Sequence, residues 1–298
     1  MQRLLAAALA FAALPASLVS VFHARVADAP GLGYYRFPAL HGDSLVFTAE
    51  GDLWMVDAAG GVARRLTSGQ GEETNATISP DGKTIAFVGS YEGPAEIYTV
   101  PMSGGVPVRR TWGGGLPVGW TPDGKLLMMS GALSTLPEPR LFTLDLSTGV
   151  RSPIPLVQAS DGAYDRAGGT LYFTRFAFQG SHTKRYKGGT AQSLWKLPAG
   201  AAEATPLTGD YTGTSKTPMW WADRVYFVSD RDGSMNLWSM DPEGHDLKQL
   251  THHQGWDIQS PALANGKIVY QLGADVWLYD IASGQAHLIP VTLTSDFD

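Results

Sequence analysis

The densest chemistry in this sequence is Lys184-Arg185-Tyr186-Lys187, three cations within four residues of a chain whose formal net charge is −6. Guanidinium and ammonium groups beside the turn Gly188-Gly189 can hold a peptide carboxylate, or dock an acidic face of another domain or subunit. With neighbouring His182, these residues form the candidate contact site for a peptide or partner: His182, Lys184, Arg185, Tyr186 and Lys187. A solvated loop that packs its aromatics and leaves its charges in water is the plainer account of the same residues.

Other reactive patterns are missing. No G-x-S-x-G is present to hold a serine nucleophile on a strained turn. Zero cysteines exclude a thiolate metal site, a cysteine nucleophile and a disulfide framework. His252 and His253 are adjacent, so on a strand they point to opposite faces, the wrong geometry for two ligands of one ion. Asp81-Gly82 and Asp230-Arg231-Asp232-Gly233 lack the longer oxygen-bearing loop ending in Glu that an EF-hand requires, and read as hairpin turns. No catalytic residue, metal site or cofactor is expected. The pI near 5.6 argues against nucleic acid or an anionic membrane surface as the main partner.

The elements that would position the basic loop are repeats. From Asn75 to Tyr98 an apolar strand ends at Ile78-Ser79, Pro80-Asp81-Gly82-Lys83 turns the chain, and Thr84 to Val88 forms a buried β-branched and aromatic strand. Glu96-Ile97-Tyr98 then opens a third strand. This polar, aliphatic, aromatic triplet recurs at Asp52-Leu53-Trp54, Arg140-Leu141-Phe142, Ser193-Leu194-Trp195, Asn236-Leu237-Trp238 and Asp275-Val276-Trp277. Its aromatics are separated by 44, 44, 53, 43 and 39 residues, the period of propeller blades. The second strands align independently as Leu45-Val46-Phe47, Ile85-Ala86-Phe87, Leu127-Met128-Met129, Leu171-Tyr172-Phe173, Val225-Tyr226-Phe227 and Ile268-Val269-Tyr270.

A four-stranded meander cannot bury both faces alone, so the units must stack radially. The fold class expected is all-β: a six-bladed β-propeller of four-stranded antiparallel blades, preceded by a signal peptide. The blades run approximately over 34–67, 70–111, 112–155, 156–208, 209–251 and 252–290, within a propeller domain of 30–298. Blades one and six each have their own outermost and innermost strands, so the ring is expected to close without a strand exchanged between the termini. Blade four carries about ten extra residues between its second and third strands, Phe176 to Gln192, where the basic loop lies. Residues 1–29 read as a secretory signal and short leader, with Arg3, an apolar run from Leu4 to Leu14, and small residues after Pro15. A periplasmic or secreted location follows, with no membrane association after cleavage.

The series Arg65-Leu66-Thr67, Asn75 to Phe87 and Glu96-Ile97-Tyr98 resembles the TolB-like propeller repeat. Three further stretches narrow the resemblance: Tyr34 to Leu40 with Asp43 to Trp54, the loop His182 to Gln192, and the end at Thr294 to Asp298. Together, over residues 34 to 298, they look like the N-terminal six-bladed propeller of bacterial tricorn-type serine peptidases. That resemblance implies an oligomeric peptidase that degrades oligopeptides, in which this propeller sits beside a seven-bladed one and the two screen and guide peptides. It also implies that the catalytic serine and histidine lie downstream of Asp298, and that Ser295 to Asp298 begins a linker. The function expected is a non-catalytic gating or scaffold propeller. Its partners would be peptides, downstream peptidase domains or subunits, and further copies in the full-length form. The alternatives are a stand-alone TolB-like periplasmic protein- or ligand-binding propeller, and a propeller lyase or glycosidase with paired carboxylates at its channel mouth.

One aromatic per repeat at positions 54, 98, 195, 238 and 277 reads as core between blades rather than a sugar-binding stripe. On that reading Trp238→Ala costs about 3–5 kcal/mol in a thermal or chemical denaturation measurement.

Overall fold

The computed structural model describes residues 33–132, 134–135, 138–177 and 185–294. Residues 1–29, read above as a signal and leader, His182, Lys184 and the last four residues lie outside the described residues. Six four-stranded antiparallel sheets follow one another along the chain, each ordered as a simple meander. Blade one is Arg36–His41, Ser44–Ala49, Asp52–Asp57 and Arg64–Arg65; blade two is Glu73–Ile78, Thr84–Gly89, Glu96–Pro101 and Val108–Arg109. Blade three is Leu116–Trp120, Leu126–Ser130, Arg140–Leu144 and Arg151–Pro153; blade four is Asp161–Tyr164, Thr170–Thr174, Leu194–Pro198 and Thr205–Pro206. Blade five is Ser215–Trp221, Arg224–Ser229, Asn236–Met240 and Lys248–Gln249; blade six is Ile258–Ala264, Lys267–Leu272, Asp275–Asp280 and Gln285–Leu288. Successive first strands are neighbours, and that of blade six lies against that of blade one, so the six blades form a closed ring.

The turn chemistry is visible in the hydrogen bonds. In blade two Asp81 Oδ1 accepts from the Ser79 hydroxyl (2.6 Å) and the Lys83 N–H (3.1 Å), while Gly82 takes a φ of +69°. Blade three rebuilds the turn with Thr121, whose Oγ1 accepts from the Lys125 N–H at 2.9 Å. Each turn delivers a second strand buried on both faces. Leu45, Val46, Phe47, Ile85, Phe87, Val225, Phe227 and Tyr270 expose no side-chain surface.

The register corrects one alignment. The residue opposite the third-strand aromatic is Phe47, Phe87, Phe173, Phe227 or Tyr270 in five blades, and Met128 in blade three. Blade three is therefore Leu126-Leu127-Met128, one residue earlier than the sequence alignment. With an aliphatic in the aromatic's place, nothing in the run Leu126 to Met129 marks its phase.

A second device recurs at the outer edge. The chain leaves each fourth strand and turns inward, so that the N–H of Leu66, Arg110, Ile154, Leu207, Leu250 or Ile289 bonds the carbonyl of the third strand's aliphatic residue. In four blades the next threonine hydroxyl then accepts that same aliphatic residue's N–H: Thr67 from Leu53 (3.0 Å), Thr111 from Ile97 (2.8 Å), Thr208 from Leu194 (2.9 Å) and Thr251 from Leu237 (2.9 Å). The threonine thus satisfies a backbone donor that the short fourth strand cannot reach. Its own hydroxyl proton goes to Glu73, Glu96 and Asn236 in blades one, two and five respectively.

Glu73 is fully buried where blade two meets blade one. Its carboxylate accepts from the Leu53 N–H (2.9 Å), the Thr67 hydroxyl and the Tyr91 hydroxyl. Burial pushes its pKa above the ordinary glutamate value, against the pull of those three donors.

The ring closes differently from expectation. Blades one and six are each complete, but past blade six Val291–Thr292 pairs in parallel with Gly61–Val62 of blade one. Gly61 N–H bonds Pro290 O and Ala63 N–H bonds Thr292 O, both at 2.8 Å, while Tyr35 N–H bonds Ala274 O at 2.9 Å. The tail thus latches onto the outside of blade one rather than adding a strand to blade six.

The aromatic positions also divide. Trp54 and Tyr98 are buried, whereas Trp195, Trp238 and Trp277 are only partly so. Trp238 has an arginine, Arg231, at 6.0 Å from its ring centroid. Its truncation therefore costs less than the sequence estimate, and the fully buried Phe227 opposite it carries the larger share.

Thr111→Val keeps shape but leaves the Ile97 N–H unpaired, and is expected to cost about 1–3 kcal/mol by chemical denaturation. Glu73 holds its proton more tightly when folded, so it favours folding below its ordinary value of 4.5. That contribution is lost as pH rises through the raised folded value. A Glu73→Gln variant, which cannot ionise, is expected to lose less stability than the parent as pH rises from 4.5 through the raised folded value.

Candidate functional site

The first strands of the six blades surround a central channel with a cavity of about 1020 Å³. Blades crowd most closely at this axis, and the backbone adapts by bulging. In blades one, two, five and six two first-strand residues stand opposite the single second-strand aromatic: Phe37-Pro38, Asn75-Ala76, Thr217-Pro218 and Ser260-Pro261. The leading residue of each pair takes a positive φ, from +46° to +54°. For a β-branched Thr217 this is a strained conformation, held here by its N–H bonding Thr174 Oγ1 at 3.1 Å. Blade three bulges by one residue between Pro117 and Gly119. Blade four does not bulge; Gly162 lies directly opposite Phe173. A Cβ on Gly162 would meet the Leu171 side chain at 3.0 Å and the Tyr172 carbonyl at 3.3 Å, so a larger residue on the unbulged strand would have to push its neighbours aside.

The two mouths of the channel differ. The end at which the first strands finish is aromatic, with Trp120, Tyr164, Trp220 and His41 on the wall. The end at which they begin is charged, with Asp161, Lys216 and Arg185 on the wall. Asp161 opens the first strand of blade four, and its Oδ2 faces the Thr217 hydroxyl at 3.4 Å. Burial raises the Asp161 carboxyl well above the usual carboxylate range, partly offset by the Lys216 charge and the Thr217 hydroxyl. Beside it, Asp230 Oδ1 accepts from the Tyr211 hydroxyl and the Thr214 N–H, both at 2.9 Å. Burial and that bond push Tyr211 up to about 12. Arg231 is structural: it donates to the Ser215 and Ser229 hydroxyls at 2.8 Å and lies 4.3 Å over Tyr211.

Of the sequence-derived basic loop, Arg185 lies at this charged mouth. Arg185 is exposed, takes a φ of +59°, and donates Nε–H to the Gly233 carbonyl of blade five at 3.0 Å. It lines the cavity. Tyr186 is half-buried with its hydroxyl 3.0 Å from Thr190 Oγ1, and Lys187 is exposed away from the cavity wall. The loop's stem is fixed by Gln192, whose Nε2 donates to the Phe176 and Ala177 carbonyls at 2.9 and 3.2 Å. His253 is a core residue, with Nε2 2.9 Å from the Tyr270 hydroxyl and its ring edge-on to Trp277. Asp161 and Lys216 were not singled out from sequence. The one signal available was a charged residue near the start of each of two first strands, and the bulge in one but not the other hides which way such a residue faces.

Residues 32–285 match the family described as the tricorn protease N-terminal beta propeller domain. Tricorn protease homolog 1 of Streptomyces coelicolor is 31% identical over 255 residues, covering 84% of this chain and 24% of that protein. A tricorn-like protease N-terminal subunit of Sulfurisphaera tokodaii is 28% identical over 166 residues, 53% of this chain and 83% of that subunit. The crystal structure of the tricorn protease superposes with a TM-score of 0.77 at 25% identity, covering 86% of this chain and 26% of that one. The chain thus spans about a quarter of the length of the first curated relatives it matches. Repeat, ring and profile agree, and the chain belongs to the tricorn protease N-terminal β-propeller family.

Proposed function

We propose that this propeller is a non-catalytic scaffold and peptide-gating domain that works with a separate peptidase domain or subunit, in an oligomeric assembly exported from the cytoplasm. The observation that carries the reading is the match to the propeller quarter of tricorn protease homologues together with a relative whose name is an N-terminal subunit. Separate N- and C-terminal subunits occur in one organism, and this chain matches both in part.

The channel supports gating physically. A charged mouth opening into a confined cavity with aromatic walls favours an extended peptide over a folded chain. The face around the charged mouth supports docking. Tyr34, Trp112 and Trp256 stand on links that lead into first strands and are 59%, 66% and 67% exposed, aromatic surface suited to contact with a partner domain.

The purified chain is expected to cleave nothing in a mixed oligopeptide pool, and to support cleavage when the downstream peptidase domains are supplied in trans. Cleavage by the chain alone would overturn the scaffold reading; no cleavage in either arrangement would favour a stand-alone binding propeller.

A further inference from the structure

We infer that the aromatic end of the channel is an apolar collar that selects uncharged peptide segments bearing a bulky apolar side chain, aromatic ones foremost, with Trp120, Tyr164 and Trp220 as its receiving half. This rests on the peptide-handling role proposed above and names the side chains that the channel favours.

The collar follows from the register. In every blade one first-strand residue stands opposite the second-strand residue that lies two places before the one facing the third-strand aromatic. The pairs are Leu40 with Leu45, Ile78 with Ile85, Trp120 with Leu126, Tyr164 with Leu171, Trp220 with Val225 and Leu263 with Ile268. The six first-strand members all line the cavity, so equivalent register sets them at one level of the channel. None carries a charge. Blades three, four and five supply the aromatics, and blades six, one and two supply the aliphatics, so an aromatic arc faces an aliphatic one across the channel.

Charge is kept away from this level. Among the described residues the aspartates and basic side chains on the cavity wall are Asp161, Arg185, Lys216, Asp230 and Asp257, and all stand at or beside the opposite mouth. Next to the three rings the wall is Val118, Gly119, Ala163 and Pro218, small and uncharged. The rings are also held differently from other aromatics of the ring. Trp54 Nε1 donates to the Ala49 carbonyl and Trp195 Nε1 to the Ser193 hydroxyl, both at 3.0 Å. The indole N–H groups of Trp120 and Trp220 and the Tyr164 hydroxyl make no hydrogen bond among the described residues. Packing alone holds them, each against the core of its own seam, and each is only partly buried, which leaves apolar surface for a guest.

A bulky apolar side chain entering the arc exchanges water for ring faces and edges. A Lys or Glu side chain at the same level loses hydration and finds no free opposite charge. The ring faces would attract a cation, but Asp123, close enough to act on Tyr164, is already paired with Lys125 at 2.9 Å, and the aliphatic half offers a cation nothing. The apolar guest is therefore the better fit.

The test is calorimetric titration of the chain with end-blocked tripeptides, acetyl-Ala-X-Ala-amide with X as Phe, Ala, Lys or Glu, so that neither peptide end carries a charge. The Phe peptide is expected to bind at least about tenfold more tightly than the Ala peptide, and the Lys and Glu peptides no more tightly than Ala. Trp120→Leu and Trp220→Leu are each expected to remove most of the preference for Phe, and Trp220→Phe to keep it. Trp221→Leu is the control, since Trp221 is half-buried on the same strand but off the cavity wall, and it is expected to leave the preference unchanged. The peptide series on the unaltered chain decides the matter even where a leucine variant fails to fold. Equal affinity for the four peptides, no binding of the Phe peptide, tighter binding of Lys or Glu than of Phe, or loss of the preference in Trp221→Leu would each overturn the collar. A chain that supports cleavage in trans yet shows no preference for Phe keeps the functional reading and loses this site. One that prefers Phe but supports no cleavage does the reverse.

Discussion

Six sheets converging on one axis must fit their innermost strands into a narrowing space, and that crowding shapes most of what is distinctive here. The second strands have neighbours on both faces and are buried throughout; Phe47, Phe87, Phe227 and Tyr270 fill the wedge between blades. Opposite those rings the first strand has no room to run straight. It buckles by one residue in five blades, four times through a residue with positive φ, and three times with a proline directly after it. A proline costs nothing at such a bulge because the ladder hydrogen bond is already lost there. The channel wall is thus a by-product of core packing.

At the rim the opposite difficulty arises. Fourth strands of two to four residues leave third-strand donors without ladder partners. The inward turn with its Leu-Thr pair answers this by bonding a single third-strand residue at both its carbonyl and its N–H. Each such threonine sits at the link to the next blade, so the same contact closes one sheet and orients the following one. Glu73 extends the arrangement across the first seam, binding backbone and threonine of blade one while belonging to blade two. A buried carboxyl serving three donors ties the blades together at the cost of a raised pKa.

Blade four is the exception on both counts. It trades the bulge for Gly162 and a straight strand, and it adds a loop stem pinned by Gln192. The consequences appear at one end of the channel, where Asp161, Lys216 and Arg185 share a wall, while the other end stays aromatic. A ring built from equivalent parts thereby acquires a direction.

The sequence by itself determined the ring. Strand period, turn chemistry and aromatic spacing are local properties, and each of the six meanders states them independently, so errors such as the one-residue slip at Met128 did not accumulate. It also marked the loop of blade four by length and charge. What it could not reach was which side chains enter the channel. A bulge reverses the alternation of faces beyond it, and whether a given first strand bulges depends on the ring packed opposite, which belongs to another strand. Asp161, Lys216 and Arg185 are 24 to 55 residues apart along the chain, and only the closure of blade four against blade five puts them on one wall. The latch of Val291–Thr292 on Gly61–Val62 is decided in the same way, since segments 230 residues apart meet only once the ring has closed.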